Sequence, residues 1–254
     1  MRRVQRAGKL LWILSLPLLV YLLSMDLVFL GWELAGHEVR AGSELMLTAA
    51  GAAAASLPLG FWYWQERKGK FRETERKTGG LRLAVCSVIA GAGICLFLNG
   101  VLCLLPLSPE GYHRVSRVLY QPPLTMQLIC MGLVIPAGEE LVFRGLGYAR
   151  IRSEFSAREA MVVSALWFGL YHGNLLQGIY AGLVGLLAAA FYEAGGFGAC
   201  WMFHGAANVT AIFGTLLFGE ESFRMPAEWK LASVVLGGGL LLFCIKIRRD
   251  GEKT

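Results

Sequence analysis

The chain has 254 residues, 56% of them hydrophobic, and a mean hydropathy of +0.53. Soluble domains are about 45–50% apolar, so the composition excludes an ordinary soluble domain and indicates a polytopic membrane protein. The formal charge of +6 lies in short Lys and Arg runs between apolar blocks, with no aromatic-interleaved basic surface, which argues against nucleic acid as a partner.

A bilayer crossing needs about 20 apolar residues. On that measure eight helices are predicted, at roughly 10–31, 42–64, 81–105, 125–147, 159–173, 175–194, 198–219 and 229–247. The first follows a basic start but runs to about Trp32, longer than the 7–15 or so residues of a signal h-region, and is expected to stay as an anchor. Helix two (Ala49 to Ala55) and helix six (Gly178, Gly182, Gly185) are dense in small residues, which allow close helix contact. The fifth is short, as expected of a helix that ends inside the protein at a cavity. With no internal repeat and no soluble segment, residues 1–254 read as a single integral membrane domain: an all-α, polytopic transmembrane bundle of about eight helices with an intramembrane polar cavity.

An even helix count puts both termini and every second loop on one side. The N-terminal run, the 65–80 loop, the Arg150/Arg152/Arg158 loop and the Lys246 to Arg249 tail are basic, whereas the alternate loops carry Glu33, Glu38, Glu220 and Glu221. The positive-inside pattern therefore predicts cytoplasmic termini, with the lipid bilayer as partner and the plasma membrane as location in a bacterium. Six cysteines, at 86, 95, 103, 130, 200 and 244, all lie in apolar blocks without paired spacing and read as small core residues.

Charge inside helix four needs an explanation. Glu139, Glu140 and Arg144 fall within an apolar span, where each ionised group costs about 2.5–3.5 kcal/mol on insertion scales. Glu140 and Arg144 are four apart and share a face, while Glu139 lies about 100° round the helix and is free to point elsewhere. One acid is held and the other is available as a base. Two of the four histidines, His37 and His113, fall in predicted outer loops, but His172 and His204 fall in spans. His204 and Asn208 share a helix face and together suit donation to a developing oxyanion. Phe168 and His172 repeat the spacing, as an aromatic wall and a candidate second base. Such a set suits hydrolysis by an activated water. It also leaves a divalent metal such as zinc open, although no HExxH helix supplies one. No Gly-x-Ser-x-Gly elbow is present for a serine hydrolase.

These residues resemble the CAAX-processing and bacteriocin-processing intramembrane proteases, the CPBP or Abi family. Glu139-Glu140-x-x-x-Arg144 is similar to its EExxxR motif, Phe168-x-x-x-His172 to FxxxH, and His204-x-x-x-Asn208 to HxxxN or HxxxD; Phe191 to Gly196 looks like its Tyr-Glu-x-x-Gly turn. The resemblance covers about 125–215. It implies an eight-helix fold whose cavity opens to the cytoplasm and sideways, with a membrane-associated, prenylated or leader-type peptide as substrate. It also implies water activation by Glu139 and His172, an oxyanion site at His204 and Asn208, and support from Glu140, Arg144 and Phe168. The family has been described both as metal-dependent and as glutamate-dependent without metal. One geometric tension accompanies the carry-over: Glu139 lies about nine residues, roughly 13 Å, from the basic end of its helix, whereas His172 lies near the far end of helix five. Two other function classes stay open on sequence grounds. One is a non-proteolytic membrane scaffold or immunity-type protein; the other is a proton-coupled transporter, which lacks support from paired inverted halves.

Overall fold

The computed structural model describes residues 2–68, 80–104, 112–219 and 226–251. All regular structure among them is helical: α1 (Arg2–Leu34), α2 (Ala41–Lys68), α3 (Leu81–Leu104), α4 (Tyr112–Tyr120), α5 (Leu124–Arg152), α6 (Ala157–Tyr171), α7 (Leu175–Phe218) and α8 (Ala227–Gly251). Every one except α4 and α6 is long and apolar enough to cross a membrane. The fold is a polytopic helical bundle.

At 44 residues, a straight α7 would run about 66 Å, over twice the apolar thickness of a bilayer. It does not run straight. Gly195 (φ −151, ψ 16) and Gly196 (φ 70, ψ −161) break the helix, and the second of these conformations is one that only glycine adopts readily. The arms 175–194 and 197–218 fold back on each other, so that Phe191 and Phe203 stack with centroids 4.9 Å apart. Counting the arms separately, the eight expected helices are all present. The addition is α4, in the segment read as a loop, and His113 lies on it.

The α6–α7 turn is built from local signals. Ser156 and Glu159 form a capping box at the start of α6, Gly173 takes φ +65 just beyond its end, and Asn174 caps α7 by accepting from the Leu176 and Gln177 amides. Three residues thus suffice to reverse the chain.

Small residues set the packing, at Gly51 of α2 and Gly178 of α7 as the sequence predicted, and in α3 and α8 as well. α3 lies against the second arm of α7 and against α8. A Cβ at Gly91 would meet the Phe203 carbonyl oxygen at 2.1 Å, and one at Gly237 would meet the Gly93 carbonyl at 2.5 Å. All six cysteines are buried, as small core residues are. At one end of the bundle, Arg150 forms an ion pair with Glu66 and stacks over Trp62, while Arg152 and the Tyr148 hydroxyl both reach Glu193. These contacts tie the ends of α2, α5 and the first arm of α7 into one basic-rich face.

Helix α5 is irregular. Two stretches, Cys130–Val134 and Leu141–Tyr148, are π-helical. Pro136 explains the first in part, because it has no N–H to give. The Ile135 amide bonds Cys130 across the wide turn, so the Met131 carbonyl loses both of its usual donors, residues 135 and 136. Side chains from neighbouring helices reach this carbonyl and two others on α5. Asn208 donates to Met131 at 2.8 Å, Trp201 to Leu133 at 2.9 Å, and Ser164 to Phe143 at 2.9 Å. A polar contact between membrane helices contributes only about 0.6 kcal/mol on average, so these bonds matter mainly for position.

The tightest of the helix contacts gives a direct test. Gly91→Ala is expected to force α3 from α7 and lower stability by about 1–3 kcal/mol, the usual cost of overpacking, read as a fall in Tm in detergent against wild type.

Candidate active site

Glu140 and Arg144 are both 0% exposed. Their i, i+4 spacing brings Arg144 Nη1 to 2.9 Å from Glu140 Oε1. The other guanidinium nitrogen donates to the Gly185 carbonyl at 2.9 Å, and the guanidinium carbon lies 4.5 Å from the Phe168 ring centre. Gly185 is required for this approach, since a Cβ there would stand 2.6 Å from Arg144 Nη2 and 3.0 Å from Phe168. The glycine-rich helix thus has a local purpose beyond general close packing.

Glu140 Oε1 has a second partner, His204 Nδ1, at 2.8 Å. An ionised carboxylate held by a guanidinium only accepts hydrogen bonds, so Nδ1 is the protonated nitrogen. That fixes the imidazole and turns Nε2 towards Glu139, whose Oε2 is 3.8 Å away. Glu139 is therefore separated from Glu140 in role, as the helix geometry predicts: one acid sits inside the ion pair, and the other faces the imidazole.

His172 caps the end of α6, and its Nδ1 lies 2.8 Å from the Phe168 carbonyl. By the same reasoning Nδ1 donates there and Nε2 is left with its lone pair. Phe168 stands between the two imidazoles, edge-on to each, with centroids 4.8 Å from His172 and 5.7 Å from His204. It walls the space between the two rings. Tyr171 and Phe143 extend that wall.

Glu139, Phe168, His172, His204 and Asn208 all line one cavity of about 250 Å³. The three sequence clusters converge. The depth mismatch of His172 is resolved by the cavity's length, for it runs along the helices from Glu139 past the end of α6 to Tyr120 and Phe218. Two other readings are refined. Among the ion pairs of the described residues, the histidine beside Glu139 is His204, whereas the resemblance pairs Glu139 with His172. Asn208 spends one of its two amide hydrogens on Met131, leaving the other for the cavity.

Several contributors escaped the sequence reading. Trp201 was missed, although its spacing of three from His204 puts it on the same helix face as the expected His204 and Asn208, and Pro136 marks where Asn208 finds a carbonyl without its backbone donors. Glu193 was noted only as part of a turn, yet it receives Tyr148 and Arg152. Its signal was a second acid near the basic end of the bundle.

A divalent metal does not fit this donor set. A zinc ion takes three or four protein ligands, and among the described residues no group of three or more His, Cys, Asp and Glu side chains is placed to hold one. Glu140 Oε1 and His204 Nδ1 are spent on each other, and the Arg144 guanidinium lies against them.

Residues 121–210 match the family model described as Type II CAAX prenyl endopeptidase Rce1-like. Comparison with curated proteins and with solved structures gives no significant match.

The ion pair is testable apart from any activity. Arg144→Leu leaves a buried carboxylate uncompensated and is expected to cost about 3–5 kcal/mol, whereas the Glu140→Gln/Arg144→Leu double variant recovers part of that loss in thermal unfolding.

Proposed function

We propose, from the premise that this chain belongs through residues 121–210 to the CAAX-processing and bacteriocin-processing family, that it is an intramembrane endopeptidase. It hydrolyses a peptide bond of a membrane-associated substrate with a water activated by Glu139 and histidine. One observation supports the reading: a carboxylate outside the Glu140–Arg144 pair, two imidazoles held through Nδ1 and an amide line a single cavity.

In the proposed reaction Glu139 accepts a proton from water as the water oxygen attacks the scissile carbonyl carbon. His172 offers Nε2 as the second acceptor for that water. The carbonyl oxygen becomes an oxyanion and takes hydrogen bonds from Asn208 Nδ2 and, when His204 is protonated, from its Nε2. On collapse the C–N bond breaks, and the proton held by Glu139 passes to the leaving nitrogen. Glu140 and Arg144 touch no reacting atom in this scheme; they orient His204, and Phe168 sets the spacing of the two rings. The reaction routes no step through a metal.

Comparative peptidomics of a deletion strain complemented with wild type or with Glu139→Gln provides the test. The expected outcome is that uncleaved membrane-associated peptides accumulate equally in the deletion and in Glu139→Gln, with normal abundance of the variant in the membrane. Full complementation by Glu139→Gln would instead favour a scaffold. With a substrate so identified, Asn208→Ala is expected to lower kcat by about 10²–10³ with a smaller effect on KM, the signature of a lost oxyanion donor.

A further inference from the structure

Much of α1 faces outward, for Leu19, Leu22, Leu23 and Leu27 are exposed. Tyr21 does the opposite: it is fully buried, in the apolar cluster that also contains Phe143 and Phe168. Its hydroxyl is enclosed with it and makes no hydrogen bond of normal geometry. Phenylalanine would fill the same space without a buried polar atom to satisfy, so the hydroxyl calls for an explanation.

The phenol reaches α5 one residue before Glu139. A Cβ at Gly138 would stand 2.9 Å from Tyr21 Cε2, the ring atom beside the hydroxyl-bearing carbon, and 3.2 Å from the Ala52 carbonyl oxygen. Glycine is what lets the ring come this close. The Tyr171 ring meets Tyr21 edge-on at a centroid distance of 6.3 Å, and Glu139 and Tyr171 are the groups that act electrostatically on the Tyr21 hydroxyl. Glu139 acts on Tyr171 in the same way. The cavity is lined by Glu139 but by neither phenol. Both therefore stand behind the carboxylate, away from the space a substrate would enter. On the cavity side His204 lies 3.8 Å from Glu139, too far for a hydrogen bond. That contact alone does not fix the carboxylate.

We propose that Tyr21 is a positioning residue for Glu139: its hydroxyl donates to the ionised carboxylate from behind, backed by Tyr171, and holds the other carboxylate oxygen towards His204 and the cavity. This rests on the proteolytic reading of the site. A charged carboxylate draws in an O–H donor that a neutral one holds weakly, so the contact closes by side-chain rotation when Glu139 is ionised. The phenol keeps its own proton throughout. The proton taken from water stays on the cavity-facing oxygen of Glu139 until it passes to the leaving nitrogen. Tyr21 lies outside the matched stretch 121–210, so α1 gains a share in the site that the family match does not assign to it.

Tyr21→Phe in the full chain removes the hydroxyl and keeps the ring. With a substrate identified by peptidomics, the variant is expected to accumulate normally and to unfold in detergent at a Tm no lower than wild type, while kcat falls about tenfold and KM stays within about twofold. An unchanged kcat makes the hydroxyl idle, and a variant that fails to accumulate or unfolds at a lower Tm makes it structural; either result overturns the inference. Infrared spectroscopy of the purified protein reads the same contact without a substrate. The Glu139 carboxylate bands, identified by their loss in Glu139→Gln, are expected to shift in Tyr21→Phe. Unmoved bands overturn the inference even where Glu139→Gln abolishes cleavage, whereas full complementation by Glu139→Gln removes the proteolytic reading even where the bands shift. The two failures are thus read separately.

Discussion

The constraint on which the site depends is one buried carboxylate oxygen with two claimants. Glu140 Oε1 accepts from Arg144 on its own helix and from His204 on another, and Arg144 in turn reaches the first arm of α7 at Gly185. Three helical segments are therefore fixed by a single charge cluster. A buried ion pair is weak evidence of stability, since burial penalises both charges. Its better-attested service is register, and here the register is that of two antiparallel arms against α5. A shift of either arm by one residue would separate an imidazole or a carbonyl from its partner.

The same geometry explains why two adjacent glutamates are useful where one would not be. Successive residues on a helix diverge by about 100°, so the pair delivers one acid to the ion cluster and the other to the cavity from a single turn. His204 bridges them, with Nδ1 on Glu140 and Nε2 towards Glu139. The ring is thus held from behind by the acid that does not face the cavity, which is how a histidine is usually kept in one tautomer.

Much of this was legible in residue spacing. The i, i+4 pairing of Glu140 with Arg144, the shared face of His204 and Asn208, the aromatic position of Phe168 and the density of small residues in helices two and six all follow from helical periodicity, and each has its counterpart in the fold. What spacing does not carry is the backbone's departure from it. The π-helical turns of α5 change which carbonyls are free, so Trp201 and Ser164 gained partners that no pattern of their own announced, and Asn208 gained a structural duty beside the one expected of it. The reversal at Gly195–Gly196 lay between two predicted helices and was found. The short α4 was missed because its Arg-rich sequence lacks an apolar run. The pairing of Glu139 with His204 depends on how helices from distant parts of the chain lean together, which local sequence does not encode.

The wide turn at Cys130–Val134 has an arithmetical consequence. A π turn holds one residue more than an α turn, so the excess there acts as a phase shift for everything that follows. Deleting a single residue within 130–134 would let the helix resume its ordinary pitch with Glu139, Glu140 and Arg144 still facing the histidines, whereas straightening the turn with all its residues kept would swing them by about 100°. In this segment backbone shape and side-chain direction are therefore locked together: the extra residue leaves the polar cluster in place only while the turn stays wide.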